Sequence, residues 1–198
     1  MKRFSLLLLA VALFGSSCGL AAAAQTHASP APSLGGKPVP VPPEPHPPGD
    51  IPDTQVFISY RSPLGFALKV PEGWSRQLTP GGVRFSSTFG GVSVEIAPSP
   101  SAPTMTSVKA KQVSVLEASP AAVRISKIAS ADLPAGRAIL ISFGSNSDPN
   151  AVTGKAIRLE NEQYLLWKRG RLATLTLSAP YGADNGDQWQ LIARSFQW

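Results

Sequence analysis

An antiparallel, twisted β-sheet covered by helices, an α+β arrangement, is the fold class this sequence predicts, and three observations predict it. Apolar and polar residues alternate in several separated runs, such as GGVSVEIAP and AILISFG. Gly, Pro and Asn punctuate those runs. A stretch close to Trp198 changes to helical spacing. Period-two patterns bounded by turn residues mark half-buried strands, and a sheet with an apolar face needs a helix to cover it. About six to eight strands are expected. No internal repeat is visible.

The chain opens with a different signal. Lys2 and Arg3 precede an almost wholly apolar run from Phe4 to Phe14, followed by small residues and Ala21 to Ala24. That order is a secretory signal peptide over residues 1–24. The apolar run is short of the ~20 residues a membrane-spanning helix needs, although reading on to Ala24 keeps an uncleaved anchor open. Two processing sites compete. Ala22-Ala23-Ala24 is an A-x-A site that leaves Gln25 first. Cys18, the single cysteine, follows Ser16 and Ser17 in a pattern that resembles a bacterial lipobox, with Gly15 where a Leu-like residue is usual. Lipidation at Cys18 and its removal with the signal both stay open. Cleavage after Ala24 leaves no cysteine, so a disulfide framework is then excluded.

Residues 25–53 read as a Pro-rich disordered linker. Ten of the chain's 20 prolines lie between Pro30 and Pro52. Proline fixes φ and lacks an amide hydrogen, which favours an extended, semi-rigid spacer, with a Pro-rich ligand for a partner groove as the rival reading. Fully extended, this stretch reaches about 90 Å. It carries one Lys against three acids, whereas residues 54–198 carry 15 basic and 9 acidic residues. That excess of six positive charges is scattered, which argues against nucleic acid and favours anionic envelope surfaces as the milder partner.

Within 54–198 the strands are read in order. Phe66 to Val70, Val83 to Ser86, Val123 to Ile128 and Ala156 to Leu159 show weaker alternation. Val92, Val94 and Ile96 share a face opposite Ser93 and Glu95, and Ile139, Ile141 and Phe143 share another. In LATLTLSAP, Leu172, Leu175 and Leu177 are the apolar set, with Thr174 and Thr176 opposite. Lys168 to Arg171, KRGR, separates YLLW from this run and reads as a solvated hairpin tip, with Gly170 free to take positive φ. A contact with an anion or head group is the rival reading of those cations. Thr104 to Ala118 is expected to be helical, with Val108, Val115 and Leu116 inward. A second helix is capped by Asp184 or Asn185, has Asp187 in its first turn and Arg194 near its end, and presents Trp189, Ile192, Ala193 and Phe196 as a stripe.

SPLGFALKVPEGW, then GGVRFSS, then the closing DQWQLIARSFQW resemble the Mog1/PsbP-like fold, over about Ser59 to Trp198. These are fold markers. Trp74 would cap a strand end, and Trp189 and Phe196 would pack the last helix. Bacterial members include exported, lipoprotein-type domains. The resemblance implies a non-catalytic accessory or binding domain: photosystem relatives bind a membrane complex, and envelope relatives associate with lipids or transport partners. No functional residue of those families maps onto a motif here.

Chemistry is marked by an absence. Both histidines, His27 and His46, lie in the Pro-rich segment, and residues 54–198 contain neither His nor Cys. That removes His-based acid–base catalysis, Ser-His and Cys-His nucleophiles and the common zinc sites. No phosphate-binding glycine motif is present. No catalytic, cofactor or metal residue is expected, and the domain is read as no enzyme. A carboxylate pair or a Ser-Lys dyad survives; no serine is followed by a lysine at a suitable spacing, and the pair is Glu160 and Glu162 on one strand face, where a solvated face is the bland reading. Asp148-Pro149-Asn150 reads as a turn, and Asp184 to Asp187 as a helix cap in preference to a calcium loop. Trp74, Tyr164, Trp167, Tyr181 and Trp189 could line a groove or belong to the core.

Three functions are carried forward. The first is a non-catalytic extracytoplasmic binding domain engaging an envelope protein complex, lipid-anchored if Cys18 is processed and otherwise soluble in the periplasm or secreted. The second is a carrier of lipid or a small apolar ligand, which needs an enclosed cavity between sheet and helix. The third is a carboxylate-dependent hydrolase, which needs a cleft holding two acids, one with a raised pKa.

Overall fold

The computed structural model describes residues 38–198. The signal segment, Cys18, the Ala24 site and residues 25–37 lie outside the described residues. Among the described residues no helix is long and apolar enough to cross a membrane.

Mostly antiparallel sheet with few helices is what the alternation produces. β1 (Phe57–Arg61) and β2 (Ala67–Pro71) form a separate hairpin. β3 (Ser75–Thr79), β4 (Gly82–Ser87) and β5 (Gly90–Pro98) begin a seven-stranded sheet. The chain then crosses to the far edge through α1 (Met105–Val108), a π-helical stretch (Lys109–Val113) and α2 (Ser114–Glu117). β6 (Arg124–Leu133), β7 (Gly136–Asn146), β8 (Arg158–Lys168) and β9 (Arg171–Pro180) return as a meander to pair β5. The order is β3-β4-β5-β9-β8-β7-β6, antiparallel throughout. α3 (Gly186–Ser195) follows.

The two faces of the sheet follow the sequence period. On one face Val92, Val94, Ala173, Leu175 and Leu177 meet the stripe Trp189, Ile192, Ala193 and Phe196, together with Phe66, Leu68 and Val70 of the small hairpin. Burying each large apolar side chain contributes roughly 1.5–3 kcal/mol. On the other face Ile139, Ile141, Phe143 and Leu165 pack on Val108. Leu172 belongs to this second face, opposite Leu175, because an odd separation along a strand reverses the side. A bulge between Ile125 and Lys127 puts Ile125 and Ile128, three apart, on one side.

The first helical segment departs from expectation at one residue. Thr104 caps it with Ser107 in a reciprocal capping box. Val115 points outward, 72% exposed, while Val113 and Leu116 pack inward. The π-helical stretch widens a turn and rotates the following residues off the α-helical stripe.

The linker expectation needs a larger correction over its second half. Two stretches of it, 39–41 and 49–51, are tied to the domain, with Gly49 and Ile51 buried, while 42–46 stay exposed. Val41 and Ile51 donate their amides to Asn146 and Asn185, more than 100 residues away in sequence. The physical reason is that the domain supplies, from its side chains, the hydrogen-bond partners this segment cannot supply to itself.

Candidate functional site

A cleft of about 490 Å³ opens at the end of the sheet where β8 begins. Its floor is Ser142 and Gly144 of β7 with Glu160 and Glu162 of β8. Arg124 and Ser126 of β6 form one wall, Tyr181 and Trp189 another, and Pro40, Val41 and Pro43 pass over it. Glu160 and Glu162 point to the same side because they are two apart on a strand, as expected. They are half-buried in a cleft, so the solvated-face reading of this pair is corrected.

Arg158 is the unforeseen member. It is only 7% exposed, and its Nη1 donates to the carbonyl of Ala122 at 2.9 Å and to Asn146 Oδ1 at 3.0 Å. Its guanidinium lies so close over Gly144 that a Cβ there would meet Nη2 at 2.5 Å. Burial, then repulsion from Arg124, moves its pKa down. The one ion pair among the described residues, Arg137 with Asp132, is elsewhere and exposed, so neither Arg158 nor Arg124 is paired with a carboxylate.

Burial also pushes the Glu160 carboxyl up from its ordinary value, against the lowering effect of the nearby Gly182 backbone amide and with further repulsion from Glu162. Glu162 Oε2 accepts a 2.6 Å bond from the Tyr164 hydroxyl. Burial first, then that bond, holds the Tyr164 hydroxyl far above the usual phenol range. The cleft thus offers two guanidinium groups, two carboxyls and aromatic walls, but no histidine, thiol or activated hydroxyl.

Two asparagines hold the segment that passes over this end. Asn146, the last residue of β7, donates through Nδ2 to Val39 O at 2.9 Å and accepts at Oδ1 from Val41 N at 3.0 Å. Asn185 donates to Gly49 O at 2.9 Å and accepts from Ile51 N at 2.7 Å. Asn185 does precede α3, but its side chain makes no capping bond because the Pro-rich segment uses both ends of it. Asp50 Oδ1 accepts instead from Asp184 N. The signal for these residues was faint. Asn is depleted in strands, and Asn146 and Asn161 both sit in strand positions, the latter donating to Ser145 Oγ.

The other candidates scatter. Of the five aromatics only Tyr181 and Trp189 line the cleft; Tyr164 lies in the core, Trp74 packs against its margin, and Trp167 lines a separate cleft of about 280 Å³. The turn expected at Asp148-Pro149-Asn150 forms one step later, over residues 150–154: Asn150 Oδ1 accepts from the amides of Val152 and Thr153, and Asn150 O accepts from Gly154 N. Lys168 to Arg171 form a two-residue hairpin turn at the opposite end of β8. Among the described residues no group of His, Cys, Asp and Glu is arranged to hold a metal ion.

No family model matches this sequence, and no curated protein does. Solved structures do. The solution structure of cyanobacterial PsbP (CyanoP) from Synechocystis sp. PCC 6803 superposes over 77% of this chain and 99% of its own, with a TM-score of 0.50 and 19% identity. A Bacteroides thetaiotaomicron protein matches 67% of this chain and 44% of its own at 8% identity and a TM-score of 0.43. A Pseudomonas aeruginosa protein of unknown function matches 68% of this chain and 91% of its own at 14% identity and 0.42. At such identities the likeness concerns architecture, and of these three only the first bears on it. The resemblance read in SPLGFALKVPEGW and DQWQLIARSFQW therefore holds at the level of the fold: the domain has a PsbP/Mog1-like fold.

Proposed function

We propose that this chain is a non-catalytic, extracytoplasmic accessory domain that engages an envelope protein complex, exported by residues 1–24 and anchored to the membrane where Cys18 is lipidated. The observation that carries the reading is that the cleft at the start of β8 contains charge and aromatic surface but no nucleophile with a base beside it. The likeness to cyanobacterial PsbP supports it, because nearly all of that chain is matched. Native pull-down from membranes, with mass spectrometry of proteins and lipids, tests it. Recovery of a defined protein partner is the expected outcome, and recovery of lipid alone would refute it. The mature N-terminus decides the anchor: lipid-modified Cys18 supports it, and a peptide starting at Gln25 removes it.

Against the carrier alternative, the space between sheet and α3 is filled, among the described residues, by Phe66, Leu175, Leu177, Ile192 and Phe196. The hydrolase alternative has one observation in its favour, the raised Glu160 beside Glu162 in a cleft. Turnover of any ester or glycoside that Glu160→Gln abolishes would make it the better reading.

A further inference from the structure

Asn146 and Asn185 perform the same operation at two places. Each donates to the carbonyl of one residue and accepts from the amide two residues later: Val39 and Val41 at Asn146, Gly49 and Ile51 at Asn185. A side-chain amide carries the same donor and acceptor as a peptide group, so it presents to an extended chain what a neighbouring strand would present. The residue in between is skipped. It needs no free N–H and can be proline, as Pro40 is. Neither asparagine touches a side chain of the segment through these bonds, so what is read is main-chain shape.

Both readers are braced. Arg158 Nη1 bonds Asn146 Oδ1, which fixes which way that amide faces. Asn185 is 2% exposed. Around it, Gly49 fits where a Cβ would meet Pro180 Cδ at 2.7 Å, and Ile51 fills a buried position at 3% exposure. Gln188 Nε2 adds a bond to Ile51 O at 3.3 Å. A proline-rich chain suits such a track because its φ angles are already fixed and little ordering entropy is lost on docking.

We propose that this track is a binding site for an extended, proline-containing polypeptide segment, read through its main chain, and that residues 38–53 occupy it as a ligand in cis. The partner that fits is a protein segment carrying an x-Pro-x step for Asn146 and, further on, a Gly-x-aliphatic step for Asn185. Covalent attachment gives the resident segment an effective concentration on the order of millimolar. A segment in trans therefore enters once the resident one is displaced, and its neighbouring side chains then meet Arg124, Arg158 and Glu160. This inference goes beyond the accessory role proposed above and does not require export, a lipid anchor or an envelope complex.

The test frees the track without altering it. In the full chain, Val41→Pro removes the amide that Asn146 accepts, and Gly49→Val puts a side chain where Pro180 leaves no room. A fluorescently labelled synthetic peptide of residues 38–53 is titrated into this double variant. Saturable binding is expected, with none detectable on the unaltered chain over the same range. Adding Asn146→Ala and Asn185→Ala should weaken binding about tenfold or more, since four hydrogen bonds are lost. No binding to a double variant with native circular dichroism overturns the proposal, as does binding indifferent to the asparagines. Should the double variant not fold, hydrogen exchange on the unaltered chain decides. The Val41 and Ile51 amides should exchange at least about tenfold more slowly than after Asn146→Ala/Asn185→Ala, and exchange as fast as in the free peptide overturns it.

Discussion

β8 begins at Arg158 and ends at Lys168, and the two ends of the sheet hold positive charge in opposite ways. Arg158 is buried, bonded to a peptide carbonyl and an amide oxygen, and shapes the groove beside it. At the other end Lys168, Arg169 and Arg171 line one shallow cleft, and Arg61, Lys69 and Arg194 line a second. Neither cleft has an acidic residue in its lining. Arg171 sits 5.8 Å from the centre of the Trp198 ring and donates to Leu64 O at 3.3 Å, and Lys168 donates to Trp198 O. The buried cation is kept by neutral oxygens and its loss would leave a hole; the exposed cations make only surface contacts and their loss would change mainly the surface field. The conspicuous basic run is thus the end where single substitutions matter least to folding.

The tryptophans at the two ends give the largest contrast. Trp189, 8% exposed, lines the cleft and belongs to the main core, whereas Trp198 is half-buried against Arg171. Trp189→Ala should cost about 3–5 kcal/mol, and Trp198→Ala about 1 kcal/mol. Chemical denaturation of both variants measures this, and equal losses would show that the two ends are equally packed. Next in size is Asn185→Ala. It leaves Gly49 O and Ile51 N buried without partners and should cost about 1–3 kcal/mol. Arg171→Ala, whose bonds are exposed, should cost less than about 1 kcal/mol. A reversed order would mean that the Pro-rich segment contributes nothing to stability.

Acid titration separates the ends further. Burial holds the Glu160 carboxyl above its ordinary value of 4.5, so the folded protein binds this proton more tightly than the unfolded chain does. Stability from this group is therefore fully present below 4.5 and is lost as pH rises through the raised folded-state value. Glu160→Gln should flatten the melting temperature across that window and raise it at neutral pH. A slope that survives the substitution would place its origin outside the cleft.

The reading of the sequence succeeded where one chain segment determines its own structure. Val92, Val94 and Ile96, or Ile139, Ile141 and Phe143, carry their period locally, and Trp189, Ile192 and Phe196 do the same for α3. β3 escaped because it is an edge strand exposed at every position, which leaves no alternation to read. The track escaped for a different reason. Its determinants are single polar residues, Asn146, Arg158 and Asn185, separated by the fold from a segment whose composition says only that it will not fold alone. Main-chain recognition leaves no pattern of side chains in the segment recognised. Glu160 and Glu162 were placed on one face correctly, but the depth of the cleft around them depends on that same segment.

The smallest effects test backbone strain at the two ends. Among the described residues two non-glycine residues have positive φ, Ala122 and Arg169, both at 49°. Ala122 stands at the buried end and its carbonyl accepts from Arg158. Its methyl is in the core at 2% exposure, so Ala122→Gly relieves strain but loses that burial and should be close to neutral. Arg169 and Gly170, at 49° and 78°, form a two-residue hairpin loop in which both positions need positive φ. Such a loop favours Asn-Gly, and an L side chain other than Asn or Asp costs roughly 1 kcal/mol there. Arg169→Asn should therefore stabilise by about 0.5–1 kcal/mol, read as a higher melting temperature. An unchanged or lower value would show that the Arg169 side chain makes a compensating contact. A clear gain would mean that the chain keeps a cation at a strained position against its own stability, which is where a binding role for the Lys168 to Arg171 tip would first register. The same variant should then elute at lower salt from an anionic resin, while Ala122→Gly, at the other end, should leave that retention unchanged.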